Sequence, residues 1–165
     1  MLPASLNSFQ WTVPILIFGF IASSWVLTCY SSSALTGWYR LSQRFTAEQE
    51  PNGPAKSAGP FFYAVYMRWW SHYSCIVRIT AAEDALYLSV ILPFRAGHPP
   101  LRIPWREVQI GRATFFWRRY VELTLGDEER IPLRITEGMA AKLGILERLP
   151  DYEPAVINSI SNEKR

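Results

Sequence analysis

No Asp, Glu, Lys or Arg occurs between Met1 and Tyr39. Inside that stretch the twenty residues Trp11 to Tyr30, WTVPILIFGFIASSWVLTCY, are predominantly apolar. As a helix rising ~1.5 Å per residue they span ~30 Å, the thickness of a bilayer's hydrocarbon core. Trp11 at one end, and Tyr30, Trp38 and Tyr39 at or beyond the other, are amphipathic rings suited to headgroup depth. Pro14 lies close enough to the start to be tolerated. The rest of the chain must therefore build its core without this segment. A secretory signal is the competing expectation, with Ser32-Ser33-Ala34 as a small-residue cleavage site and Val26-Leu27-Thr28-Cys29 faintly similar to a lipoprotein processing box. Both lack a cationic region before the apolar run. Arg40, Arg44 and Lys56 follow it instead, and the positive-inside rule then puts the C-terminal body in the cytoplasm. The expectation is a retained single-pass anchor.

Gly37 to Phe45, GWYRLSQRF, spaces Trp38, Leu41 and Phe45 on one helical edge with Arg40 and Arg44 beside them. That pattern predicts a juxtamembrane helix lying in the interface, with Trp11, Trp38, Tyr39, Arg40 and Arg44 as membrane-interface residues. Residues 1–45 are thus the anchor and juxtamembrane segment. Thr46 to Pro60, TAEQEPNGPAKSAGP, has no periodicity and is predicted to be a flexible linker. A folded domain is expected over 61–150 and a polar tail over 151–165.

Within the domain, short strand patterns recur at eight to twelve residues, the spacing of a small barrel or sandwich. Ser74 to Thr80 and Ala85 to Leu92 are strand candidates, the second with Leu86, Leu88, Val90 and Leu92 on one face and Tyr87 and Ser89 on the other. Leu101 to Trp105, Glu107 to Ile110, Tyr120 to Leu125 and Glu129 to Ile135 follow. Pro132 cannot donate to a ladder, so the last of these is expected at an edge or a bulge. Thr136 then caps a helix whose apolar positions are Met139, Leu143 and Leu146.

About seven strands followed by one C-terminal helix, together with Ile103-Pro104-Trp105-Arg106-Glu107-Val108, resemble the pleckstrin-homology-like barrels, which include GRAM and bacterial PH-type domains. The chain also resembles small single-pass bacterial membrane proteins that carry LYLSV and PFRxGHPPLxIPW, here at Leu86 to Val90 and Pro93 to Trp105. That second resemblance brings no activity with it. The fold class expected is mainly β: an N-terminal transmembrane helix followed by a small PH-like β-barrel with one C-terminal α-helix. The location implied is a bacterial inner membrane.

Chemistry is sparse. There is no Gly-x-Ser-x-Gly, His-Glu-x-x-His or Gly-x-x-x-x-Gly-Lys. The two cysteines and two histidines fall at Cys29, His72, Cys75 and His98, and a zinc site would need all four, including a cysteine in the apolar run. No catalytic residue, metal or cofactor is expected. His98, in a Gly-His-Pro-Pro loop, lacks a carboxylate at readable spacing and makes a poor general base.

The arginines carry more. Between Arg95 and Arg119 there are six against one acid, Glu107, with Trp105, Phe115, Phe116 and Trp117 among them. The guanidinium fork suits phosphate and carboxylate, so Arg95, His98, Arg102, Arg106, Arg118 and Arg119 are the candidate anion or partner contacts. In PH-like domains headgroup contacts commonly come from basic residues near the first strands, whereas this cluster falls in the middle of the chain. Phe61 to Tyr73, FFYAVYMRWWSHY, carries more rings than one strand face can bury and is the candidate strip for a partner or a second copy. Two functions are expected from these features: a tethered PH-like adaptor for a protein partner, and a reader of anionic lipid headgroups. Nucleic acid is disfavoured by the anchor and the net charge of only +3.

Overall fold

The computed structural model describes residues 4–48, 54–58, 64–68, 71–115 and 117–149. The apolar run forms α1 (Ala4–Thr36), whose stretch Trp11–Thr36 is 26 residues long with a mean hydropathy of 1.9, enough to cross a membrane. Much of it is uncovered: Ile15, Leu16, Phe18, Phe20 and Leu27 are all exposed. Gly37 breaks the helix in a left-handed conformation (φ +91°), and α2 (Trp38–Phe45) leaves in a new direction. An added Cβ at Gly37 would run into the Ile131 side chain.

The body is mainly sheet. One antiparallel sheet has the order β1 (Ala55–Ala58), β4 (Val77–Ala82), β5 (Ala85–Val90), β6 (Leu101–Pro104). The other has the order β3 (Ser71–Ser74), β2 (Ala64–Met67), β9 (Ile131–Thr136), β8 (Arg118–Leu125), β7 (Val108–Phe115). The period-2 pattern decides what each face does. Val77, Ile79, Leu86, Leu88, Leu101 and Ile103 of the first sheet share one core with Val121, Leu123, Leu125, Ile131, Leu133 and Ile135 of the second. A single 3₁₀ turn (Trp105–Glu107) carries the chain from β6 into β7, tied down by Trp105 Nε1 donating to the Ala82 carbonyl at 2.8 Å. The two sheets do not join into a closed barrel.

Helices fill the openings. α3 (Glu137–Leu143) touches β1 of one sheet and β8 and β9 of the other, burying Met139, Ala140 and Leu143; Thr136 Oγ1 accepts from the Met139 amide as its N-cap. Helix α2 does the same beside β6. Here the structure corrects the expected interfacial helix: Trp38 and Leu41 are fully buried and Phe45 nearly so, all within the protein core. An apolar edge at helical spacing serves a sheet as well as a lipid surface, and the sheet takes it.

The stretch predicted to be a flexible linker holds β1, which pairs with β4 and buries Ala58, and Thr46 bridges Leu101 while the Ala47 amide donates to the Pro100 carbonyl at 2.8 Å. Residues 49–53 and 59–60 of that stretch, and the tail 151–165, lie outside the described residues. The single strand expected over Ser74 to Thr80 is two, because Cys75 (φ +59°) turns the chain from β3 into β4. The edge position expected for Pro132 is also corrected: β9 sits between β2 and β8. Pro132 faces the side of β2 just past its last residue, Met67, where its carbonyl accepts from the Arg68 amide and no ladder donor is required of its nitrogen.

Candidate functional site

The loop between β5 and β6 is where the body meets α1. Trp25 packs its ring on Phe94 (4.9 Å between centroids) and its Nε1 donates to the Pro93 carbonyl at 3.4 Å. Gly97 (φ +72°) lies against Tyr30, with the position of an added Cβ 3.0 Å from the Tyr30 Cα. Only a residue without a side chain lets the two backbones approach so closely.

His98 is buried behind this contact. Its Nδ1 faces the Ala96 carbonyl (3.1 Å) and its Nε2 the Tyr73 hydroxyl (3.1 Å), which in turn meets Thr36 Oγ1 at 2.9 Å. The Trp38 ring stands edge-on to the imidazole at 5.3 Å, and Trp38 Nε1 donates to the Pro99 carbonyl at 2.9 Å. With Nδ1–H donating to Ala96 and Tyr73 O–H donating to Nε2, the neutral ring satisfies both nitrogens. Burial pulls the His98 pKa below its ordinary value and, for the same reason, raises that of Tyr73. His98 is thus a polar rivet joining α1, α2 and β3 to the loop.

The other predicted contacts are dispersed. Arg102 donates to Asp84 Oδ2 at 2.7 Å and to the Tyr87 hydroxyl at 3.1 Å, and this hydrogen bond from Arg102 holds the Asp84 carboxyl below its usual range. Arg106 is exposed in the 3₁₀ turn. Arg118 and Arg119 lie at the β7–β8 tip beside Trp117, and Arg119 reaches Glu137 at 3.7 Å. Arg44, expected in the membrane interface, instead lies among Glu107 (3.0 Å), Glu128 and Glu129 (both 3.7 Å). Three carboxylates draw the guanidinium onto the body. Trp38 is likewise removed from the interface by burial, while Trp11, Tyr39 and Arg40 are exposed.

Arg95, of the predicted residues, lines a cavity. A groove of about 570 Å³ runs over the outer face of the first sheet. Arg78, Thr80, Tyr87 and Ser89 form its floor, Ser57 and Glu48 one wall, and Leu92, Arg95 and Pro100 the other. The floor follows from the register: Arg78 pairs with Ser89 and Thr80 with Tyr87, so all four project from the same face. Arg78 and Ser89 are at the end of β4 and β5 that leads into the loop docked on α1, while Asp84 is in the turn at the far end and Arg102, paired with Tyr87, reaches toward it from mid-sheet. Neither Arg78 nor Arg95 forms an ion pair among the described residues. Two unneutralised guanidinium groups, hydroxyl donors and an apolar rim can hold an anionic group by charge-assisted hydrogen bonds.

Sequence reasoning missed Arg78, although its outward position in VRITAA and the outward Tyr87 and Ser89 signal the same face. The aromatic strip divides: Val65, Met67 and Tyr73 turn into the core, while Tyr66 and His72 stack on the outer face of the second sheet at 4.6 Å. Tyr120 stands edge-on to Tyr66 there at 5.8 Å. Residues 61–63, 69 and 70 lie outside the described set. Among the described residues no three His, Cys, Asp or Glu side chains come together as a metal would require. Comparison with family models, with curated proteins and with solved structures gives no match.

Proposed function

We propose that the protein is a single-pass, non-catalytic membrane module of PH-like design, its body held against the cytoplasmic leaflet of a bacterial inner membrane, whose groove takes an anionic lipid headgroup. The observation that carries this reading is the place of Arg78 and Arg95, unpaired at the end of the groove nearest α1. A body riding on a flexible tether would meet headgroups only part of the time. This body is packed on α1 through Phe94 against Trp25 and through His98 and Tyr73 to Thr36, so the groove is held at one height above the bilayer. Basic side chains at an anionic surface contribute ~1 kcal/mol apiece, so two give ~2 kcal/mol, a roughly thirtyfold preference for anionic over neutral lipid. That is too weak to recruit a soluble protein and ample to choose the neighbours of one already anchored.

The test compares the full chain in nanodiscs of phosphatidylcholine and of phosphatidylglycerol. Anionic lipid should raise the melting temperature of the body, and the rise should vanish in Arg78→Glu/Arg95→Glu and shrink in about 1 M salt, where the Debye length falls to ~3 Å. An equal rise in the double variant refutes the groove. A second reading, an adaptor that offers its sheet to a protein partner or a second copy, is favoured by the stack of half-buried Tyr66 on exposed His72 on the second sheet, backed by buried Tyr120. Photocrosslinks from Tyr66 to one discrete protein would support it.

A further inference from the structure

We infer that the turn at residues 92–97 is a second membrane contact: it enters the leaflet beside α1 and, with the anchor, fixes the body's orientation on the bilayer. The inference rests on the reading that α1 crosses the membrane.

The depth of the turn follows from α1. The body covers α1 at Cys29, Ser33 and Thr36, which are buried, whereas residues 11–28 are exposed. Those uncovered residues span roughly 27 Å as a helix, close to the ~30 Å of hydrocarbon. The boundary on the body's side therefore falls near Cys29, and Trp25 lies one turn inside it. Phe94 and Pro93 are in contact with Trp25. The crest of the turn is consequently at or just below the level where acyl chains begin.

Its composition matches that depth. Ile91, Leu92, Pro93 and Phe94 form an apolar crest, and Leu92 is 76% exposed. A large apolar side chain so exposed, in direct continuity with an apolar helix, is covered by the same solvent as the helix. Backbone polar groups are the usual obstacle to placing a loop in lipid. Here the carbonyls of Ile91, Pro93, Arg95 and Ala96 accept from the Phe94 amide, Trp25 Nε1–H, the His98 amide and His98 Nδ1–H, and Pro93 has no amide hydrogen to satisfy. Arg95, exposed just past the crest, is then at phosphate level, its long stem able to reach outward.

Nitrobenzoxadiazole on a single cysteine tests the idea in the full chain carrying Cys29→Ala and Cys75→Ser, reconstituted in phosphatidylethanolamine–phosphatidylglycerol vesicles. Leu92→Cys is the probe. Phe18→Cys reports the span, and Glu83→Cys reports water, since Glu83 is exposed in the β4–β5 turn at the other end of strands ~20 Å long. The Leu92 label should be quenched several-fold more by doxyl-lipid than the Glu83 label and shielded from iodide like the Phe18 label. Iodide access at Leu92 equal to that at Glu83, with Phe18 still shielded, overturns the second contact and leaves the anchor standing. Shielding at Leu92 from both quenchers also overturns it, because protein and not lipid then covers the turn. Iodide access at Phe18 as well refutes the anchor, and the inference falls with it.

Discussion

Leu41→Ala separates a core helix from an interfacial one. Leu41 has no exposed surface and belongs to the cluster formed by both sheets. Truncating a leucine in such a site removes the transfer energy of three carbons and leaves a cavity beside β6, at a cost of about 2–5 kcal/mol in total. For a body of this size, each kcal/mol lowers the melting temperature by about 4–8 °C, so the expected fall is on the order of 8–40 °C. The assay is near-ultraviolet circular dichroism of the full chain in phosphatidylcholine nanodiscs, where the groove contributes little. Tyr39→Ala, on the exposed side of the same helix, serves as the reference and should stay within about 0.5 kcal/mol of the parent. If α2 instead rested its apolar edge in lipid, both substitutions would leave the body's melting temperature alone. A Leu41→Ala shift no larger than that of Tyr39→Ala would therefore refute the placement of α2 in the core and, with it, the rigid mounting on which the proposed function depends.

Three further outcomes follow from the same geometry. His98 is held neutral by burial, so its folded-state pKa lies below the ~6.5 of an unfolded histidine; its contribution to stability is complete above that pH and is lost as pH falls below it, where only the unfolded chain gains the proton. Melting temperature should therefore drop between about pH 7 and pH 5, and His98→Gln should flatten that part of the profile. Gly37→Ala should cost about 2–4 kcal/mol, combining a left-handed backbone with an intrusion on buried Ile131; wild-type melting behaviour would show that the α1–α2 corner is not constrained as described. Asp84→Asn removes an ion pair whose partners are each about half exposed, so the loss should stay under about 1 kcal/mol and disappear in high salt.

The strands, the capped C-terminal helix and the long apolar N-terminal helix were legible because each is a local pattern. Alternation in ALYLSV places Leu86 and Leu88 inward whatever the sheet does next, and Thr136 caps α3 with no help from elsewhere. What the sequence left ambiguous was which partner each apolar edge would meet. Trp38, Leu41 and Phe45 present the same stripe to a membrane or to a sheet, and only the gap beside β6 decides between them. The short polar stretch around β1 has little strand propensity of its own; the exposed edge of β4 recruits it.

The candidate site was hidden by the same logic. A run of arginines adjacent in sequence invites the idea of one basic patch, yet Arg102 is spent on Asp84 and Arg44 on three glutamates, while Arg119 lies at the opposite hairpin near Glu137. Sequence proximity brings charges together only on a helix or in a single loop; across antiparallel strands, register does so instead. Register is what pairs Arg78 with Ser89 and sets them at the end of the sheet where the chain runs on to Arg95, seventeen residues beyond Arg78. That end is also the one from which Phe94 reaches Trp25. The groove's two free guanidinium groups and the apolar crest of the adjoining turn thus share a single cause: a β5–β6 connection that docks on α1. Any change that lifts this connection from Trp25, Trp25→Ala being the simplest, should weaken both lipid selectivity and the shielding of Leu92. Loss of one without the other would show that groove and turn act independently.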